Sequence, residues 1–449
     1  MSSSRDIAFN VLVEHTETAT RAGELLERAT SGVARDVARL ASELVYSTIR
    51  RRETLDAIIV PHVRRPPAQV ERNLWQLLRI GACQLALLET PAHAAVHETV
   101  ETARRCGNPR WTGFLNGTLR SVSRTIDKSL PLESSPGPRA LPIGWNRFRV
   151  ISQDVFPDPQ EDLRGYLAAA YSFPMWLVDR WLGRRTADEV MATLDWFNSP
   201  PRLTLRANRL RATRDDVCAT FQRHNVNASA GSHPDAVILA KRATVTALPG
   251  YLEGRFAIQD EAAMGASTLL APKPGQRVLD LCAGSGSKSC HLAELMQNSG
   301  EVVAVDLSTS RLEMLAENTA RLGITIVNSQ VADGLEAEFE PDFDAALVDV
   351  PCSNTGVLGK RPEVRWRLEP EELQELAELQ LRLLNKAAGA VKPGGVVVYS
   401  TCSCEPEENE DLVASFLEQN TGFRLDVEQH HVPGHPADGS YQARLIKQG

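Results

Sequence analysis

Arg277-Val278-Leu279-Asp280-Leu281, followed by Cys282-Ala283-Gly284-Ser285-Gly286-Ser287-Lys288-Ser289, decides how the chain is read. A short apolar run gives way to a small glycine-containing turn, and a helical pattern begins at Cys290. That order predicts strand, tight loop, helix. Glycines let the backbone approach a ligand closely, and the following helix offers free N–H groups. Further along, a second apolar run, Val302-Val303-Ala304-Val305, ends in Asp306, an acid placed to take the two hydroxyls of a ribose. The expectation is a nucleoside-containing cofactor in a doubly wound α/β domain.

Two nucleotide loops fit poorly. The dinucleotide fingerprint G-x-G-x-x-G/A fails at Ser289, and the P-loop pattern G-x-x-x-x-G-K-[ST] meets Cys282 and Ser287 where its glycines belong. The remaining common ligand is S-adenosylmethionine. A strand–helix turn that binds nothing is the plain alternative, and Asp306 weighs against it.

The 449 residues suggest two or three domains. No run approaches the roughly 18 apolar residues of a membrane helix, and Met1-Ser2-Ser3-Ser4-Arg5-Asp6 lacks the marks of a signal peptide. The expectation is a cytoplasmic protein without a membrane partner. None of the eight cysteines forms a C-x-x-C pair, which argues against a zinc ribbon, and no metal is expected. The net charge of −8 argues against a uniformly basic nucleic-acid binder. Up to Leu130, however, 18 cations face 14 anions, and all the cations but Lys128 are arginine. Arginine pairs well with phosphate. An RNA face and an ordinary solvated helical surface are both compatible with that count.

Taken in order, residues 1–130 read as all-α. Apolar stripes run through Ile7 to Val13, Val37 to Ile49, Leu74 to Leu87 and Val96 to Leu119. Arg50-Arg51-Arg52 is the tightest basic cluster, with Arg64-Arg65 and Arg104-Arg105 as candidates for the same face. Residues 131–165 are rich in proline and read as a linker or an insertion. Residues 166–262 read as a small α/β module. It begins with a helix from Tyr171 through Trp181 and includes a strand, Leu203 to Asn208, with Arg206 and Asn208 on one side. Residues 263–449 alternate strands with helices. That implies a parallel sheet with the ligand crevice at the carboxyl ends of its strands. Asp333, in Val331-Ala332-Asp333-Gly334, could accept from an adenine amino group.

Two cysteines emerge at that crevice. The strand Ala345 to Val350 runs into Pro351-Cys352-Ser353, and the strand Val396 to Ser400 runs into Thr401-Cys402-Ser403. Thiols that only fill a core would sit more naturally inside the strands. A thiol suits methylation of cytosine at C5: adding a thiolate to C6 makes C5 nucleophilic, and later expulsion of the thiol restores the ring. An acid near N3 would take up charge, and Asp349 is a candidate. A helix expected to start near Pro406-Glu407-Glu408 would favour thiolate at Cys402, although its two glutamates oppose that effect.

At these residues the chain resembles a known family. Asp-Val-Pro-Cys-Ser at Asp349–Ser353 and Ser-Thr-Cys-Ser at Ser400–Ser403, followed by Pro406-Glu407-Glu408-Asn409, are similar to the paired cysteine motifs of RNA cytosine-5 methyltransferases. The N-terminal helices resemble a NusB-like RNA-binding domain. The combination resembles the RsmB (Sun/Fmu) family, which methylates small-subunit (16S) ribosomal RNA. It covers nearly the whole chain apart from the proline-rich stretch. The resemblance implies an all-α NusB-like domain, a small RRM-like α/β module and a Rossmann-like class I methyltransferase domain. It makes Cys402 the nucleophile, Cys352 the thiol that assists product release and Asp349 the acid at the target base, beside the cofactor. Cys282, Ala283, Gly284, Ser285, Gly286, Ser287 and Lys288 become the cofactor loop, with Asp306 and Asp333 at ribose and adenine.

The chain departs from the family at several points. Where the family loop usually reads C-A-A-P-G-G-K, Gly284, Ser285 and Ser287 replace the second alanine, the proline and the second glycine. Asn354 stands where glycine or alanine is usual, and Asp438-Gly439-Ser440-Tyr441 lacks a usual aromatic pair. The altered loop motivates an alternative, a non-enzymatic RNA-binding or ribosome-assembly factor with a degenerate cofactor domain. A nicotinamide oxidoreductase would leave both cysteines unexplained.

Overall fold

The structure, a computed structural model, describes every residue except Met1, Ser2, Ala19, Asp127, Leu130, Pro131, Ser134, Arg242, His435 and Pro436. Leu130 and Pro131, the expected end of the helical domain and start of the proline-rich stretch, thus lie outside the described residues. The chain forms two units. One comprises residues 1–199 with 359–367, the other residues 200–358 with 368–449.

The first unit begins with seven helices: α1 (Ser4–Thr18), α2 (Ala22–Thr30), α3 (Arg35–Arg50), α4 (Arg52–Ile59), α5 (Arg72–Ala86), α6 (Ala92–Cys106) and α7 (Thr112–Thr125). In α3 the stripe Ala41, Leu44, Val45 and Ile49 is buried, as a 3.6-residue period requires. Helix α5 is buried along nearly its whole length and is the centre of the bundle. Gly81 lies inside α5 without breaking it because a Cβ there would collide with Leu119 of α7. The glycine lets two helices cross closely.

The basic cluster at Arg50–Arg52 is not a solvated face. Arg50 and Arg51 are buried. Arg50 donates to the Gly359 carbonyl (2.8 Å), and Arg51 to the carbonyls of Pro142 and Ala170 (3.0 Å each). Burial lowers the Arg51 pKa to about 10. Arg52 stacks on Trp366 at 3.9 Å. The fully buried Arg365 donates to the carbonyls of Arg50, Ser172 and Phe197. These guanidiniums donate to main-chain carbonyls in the interior of the unit. Arg105 is tied to Asp6 at 2.9 Å, whereas Arg64 and Arg65 are exposed.

The proline-rich stretch is not a free linker. It contains a hairpin, β1 (Ala140–Gly144) and β2 (Arg147–Val150), whose Leu141 and Phe148 are buried, as is Ile151 just beyond it. Three helices follow: α8 (Leu163–Tyr171), α9 (Met175–Leu182) and α10 (Ala187–Asn198). The single helix expected from Tyr171 through Trp181 is therefore broken. Ser172 caps α8 in the left-handed conformation (φ 65°), and Pro174 precedes α9.

The second unit opens with β3 (Leu203–Ala207), α11 (Arg214–Arg223), β4 (Ala228–Ala230), β5 (Ala236–Leu239) and β6 (Phe256–Ile258). Its strands form an antiparallel sheet in the order β4-β5-β3-β6, the expected small α/β module. Then come α12 (Glu261–Leu270), β7 (Arg277–Asp280), α13 (Ser287–Leu295), β8 (Glu301–Asp306), α14 (Thr309–Leu322), β9 (Val327–Val331) and β10 (Phe343–Asp349). The chain ends with α15 (Glu372–Ala390), β11 (Val391–Thr401), α16 (Glu410–Gln419), β12 (Phe423–His431) and β13 (Ser440–Lys447). The large sheet runs β12-β13-β11-β10-β7-β8-β9, parallel from β11 to β9, with an antiparallel pair at one edge. The Rossmann-like expectation holds. Strand order reverses between β7 and β10, so a crevice opens beyond their carboxyl ends. No described helix is long and apolar enough to cross a membrane.

Candidate active site

The loop after β7 is held in its turn by two glycines. Gly284 (φ 56°) and Gly286 (φ 79°) lie in the left-handed region, and a Cβ on Gly286 would overlap Leu315 of α14. Gly284 N–H donates to Asp306 Oδ2 at 2.9 Å, and Ser308 N–H donates to Asp306 Oδ1 at 2.8 Å. The acid at the end of β8 is thus locked against the loop. Asp333 follows β9 and receives the Leu335 N–H at 2.9 Å.

The carboxylates of Asp280, Asp349, Asp306 and Asp333 all act on the Cys282 thiol. Burial first, and these charges next, push its pKa up, so it stays protonated. Asp280 is fully buried; Ser289 donates to its Oδ2 at 2.6 Å, and its Oδ1 has no partner among the described residues. Burial moves its pKa up to about 7, against the Ser289 hydrogen bond. Lys288 Nζ reaches Asp349 Oδ2 at 2.5 Å. Burial disfavours that ammonium, but the Asp349 carboxylate outweighs it and the Lys288 pKa is raised. Several carboxylates, one orphaned acceptor and a glycine cradle suit a ligand with cationic groups and a ribose. S-adenosylmethionine has both, so the residues fit it. The altered loop, Gly284-Ser285-Gly286-Ser287, still makes a strand–turn–helix cradle.

Cys352 and Cys402 meet. Their strands β10 and β11 are parallel neighbours with Asp349 opposite Ser400, and each thiol stands just past its strand. The two sulfurs are 3.1 Å apart. Cys352 is held well above the ordinary thiol pKa, first by its hydrogen bond with Cys402 and then by burial. The unusual Asn354 adopts φ 61°, a conformation that asparagine tolerates better than most residues. Its Oδ1 accepts from the Cys402 thiol at 3.3 Å, and its Nδ2 donates to the Cys352 carbonyl at 2.5 Å.

The loops are stitched together below the sulfurs. Gly356 N–H donates to the Cys402 carbonyl (2.9 Å), Gly439 N–H to the Gly356 carbonyl (2.8 Å), and Cys404 N–H to Thr355 Oγ1 (2.9 Å). The helix expected near Pro406 begins later. Pro406–Glu408 is a 3-10 turn, and α16 starts at Glu410. Glu408 is buried and turned inward. The roles of Glu408, Gln380, Asp280 and Ser289 were missed in the sequence. A buried acid beside a strand end was the available signal for Asp280; Gln380 carried none. Among the described residues, no group of three His, Cys, Asp or Glu side chains is placed to hold a metal ion.

Comparison with known proteins agrees in all three parts of the chain. Residues 2–124 match the NusB family, residues 173–246 the ferredoxin-like domain of RsmF/B-like methyltransferases, and residues 267–445 the 16S rRNA methyltransferase RsmB/F family. Ribosomal RNA small subunit methyltransferase B of Shewanella oneidensis is 33% identical over 455 residues, covering 98% of this chain and 97% of that protein. Probable ribosomal RNA small subunit methyltransferase B of Bacillus subtilis is 32% identical, covering 95% and 90%. A solved structure, PH0851, is 25% identical with a TM-score of 0.78, and covers 100% of this chain and 99% of its own. With motif, fold and crevice in agreement with these matches, the chain belongs to the ribosomal RNA small subunit methyltransferase B family.

Proposed function

We propose that this methyltransferase makes 5-methylcytosine in small-subunit ribosomal RNA through a transient bond between Cys402 and C6 of the target base. The observation that carries the reading is the pair of sulfurs, 3.1 Å apart at the ends of adjacent parallel strands. Core packing gives no reason for two thiols at one crevice. Covalent activation of a pyrimidine gives a reason for both.

S-adenosylmethionine supplies an electrophilic methyl group when bound. Its contacts in this reading are the loop Cys282–Lys288, Asp306 at the ribose, Asp333 at the adenine and Asp349 between cofactor and base. The target base leaves its stack to enter the crevice, which favours a single-stranded or loop site. The Cys402 thiolate adds to C6, and the electron pair of the C5–C6 bond moves into the ring. Lys288 and Asp349 act as a charged pair at the N3 side, where negative charge grows. C5 is then an enamine carbon able to take a methyl group. Loss of the C5 proton to a water molecule and expulsion of the Cys402 thiolate restore the ring, with the Cys352 thiol beside the leaving sulfur to assist. The naming of the relatives supports ribosomal RNA as substrate.

Cys402→Ala tests the reading. The expected result is loss of methyl transfer with one-to-one S-adenosylmethionine binding retained. Normal turnover by that variant overturns the covalent route.

A further inference from the structure

Glu408 is the least expected residue of the site. It is fully buried. Its Oε1 accepts from Ser353 N–H (2.8 Å) and Gln380 Nε2 (2.8 Å), and its Oε2 accepts from the hydroxyls of Ser353 and Ser403. Ser353 follows Cys352, and Ser403 follows Cys402. One carboxylate therefore grips both thiol-bearing loops at the residue next to each sulfur.

The grip is anchored from the other side. Gln380 of α15 also donates to the Pro351 carbonyl at 2.9 Å, while the Tyr399 hydroxyl lies 3.0 Å from Gln380 Oε1 and 2.7 Å from the Glu408 carbonyl. Asn409 returns to the same loop, donating to the Ser403 carbonyl at 3.1 Å and accepting from Thr401 Oγ1 at 2.6 Å. The four groups that donate to the carboxylate are neutral. An ionised carboxylate accepts at both oxygens; a glutamine would turn an NH2 group toward donors. Packing alone does not require an acid here, whereas clamping two loops by four donors does.

We propose that Glu408 is a positioning residue for the reaction: by clamping Ser353 and Ser403 it holds the Cys352 and Cys402 loops in register, so that both sulfurs face one base. The inference rests on the thiol chemistry proposed above. Glu408 acts through the loops, by way of Ser353 and Ser403. Its negative charge also adds to the forces that keep Cys352 protonated.

The test is Glu408→Gln, compared with wild type and with Cys402→Ala. The expected result is a fall in kcat of roughly 100-fold, the scale set by misplacing a reacting group by about 1 Å. KM and Kd for S-adenosylmethionine stay within about twofold, because the cofactor loop lies on β7. A bifunctional bimane reagent, with products mapped by mass, joins Cys352 to Cys402 in wild type and does so in lower yield in the variant. Ser353→Ala, which leaves the carboxylate and removes one donor, lowers kcat less and guards against a variant that fails to fold. A kcat within threefold of wild type in folded Glu408→Gln overturns the proposal. So does a fall in cofactor affinity that matches the fall in kcat. If Cys402→Ala itself keeps turnover, the thiol reading fails. A dead Cys402→Ala beside an active Glu408→Gln removes only the role of Glu408.

Discussion

Lys288 Nζ lies 2.5 Å from Asp349 Oδ2, so the cofactor loop after β7 is bonded to the end of β10. Two residues 61 positions apart thus become one charged pair beside the crevice. Lys288→Met leaves the Asp349 carboxylate without its cation. The expected outcome is a loss of kcat of at least tenfold together with weaker S-adenosylmethionine binding, read by steady-state kinetics and calorimetry. The pH dependence has a definite sign. The folded pKa of Lys288 is raised, so the stability it contributes is complete below the ordinary lysine range and is lost only as pH climbs through the raised value. Across neutral pH the pair contributes no titration step from Lys288.

Asp280 does titrate near neutrality. Burial raises its pKa to about 7 from an ordinary carboxylate value of about 3.8. The folded state therefore holds this proton more tightly than the unfolded chain. The associated stability is present at low pH and falls away as pH rises from about 4 through 7, by about 4 kcal/mol at most. Asp280→Asn removes that loss. Its Tm relative to wild type rises more between pH 5 and pH 8 than that of any surface Asp→Asn control, when measured without cofactor. The same variant binds S-adenosylmethionine more weakly at pH 8, because the orphaned Oδ1 is replaced by a neutral group.

Arg206 reaches from β3 to the helix behind the cofactor loop. Its guanidinium meets Glu294 of α13 at 2.7 and 3.1 Å with both side chains fully buried, and donates to the Ser287 carbonyl at 2.9 Å. Arg206→Met strands a buried carboxylate and costs about 3–5 kcal/mol. Arg206→Met combined with Glu294→Met recovers a large share of that loss, which a double-mutant cycle in denaturant unfolding measures. Recovery of nothing would mean that the two side chains do not act as a pair.

The two strand-end cysteines were legible because largely apolar runs stop at Pro351-Cys352 and Thr401-Cys402, and topology then brings neighbouring strand ends together. The loop from Cys282 to Lys288 was legible for a similar reason: strand, glycines and helix follow one another locally. Glu408 was not. In Pro406-Glu407-Glu408 it reads as an exposed acid in a first helical turn, and nothing nearby announces donors 55 and 28 residues away, on Ser353 and Gln380. Arg50 and Arg51 misled for the converse reason. A run of three arginines looks like a solvated patch until Arg50 and Arg51 are seen to donate to the carbonyls of Pro142, Ala170 and Gly359. Strands β12 and β13 were also overlooked. β12 does alternate, Phe423, Leu425 and Val427 with Arg424, Asp426 and Glu428, but the run is short, charged and exposed along almost its entire length in the fold.

The central claim is that Cys402 bonds to the base and Cys352 helps release it. The most direct measurement incubates wild type, Cys352→Ala and Cys352→Ala/Cys402→Ala with deproteinised small-subunit RNA and methyl-labelled S-adenosylmethionine. Label in RNA and covalent protein–RNA bands are then read on a denaturing gel. The account predicts labelled RNA with wild type, a trapped band with Cys352→Ala, and neither with the double variant. A band that survives in the double variant, or full label in RNA without Cys402, would contradict it.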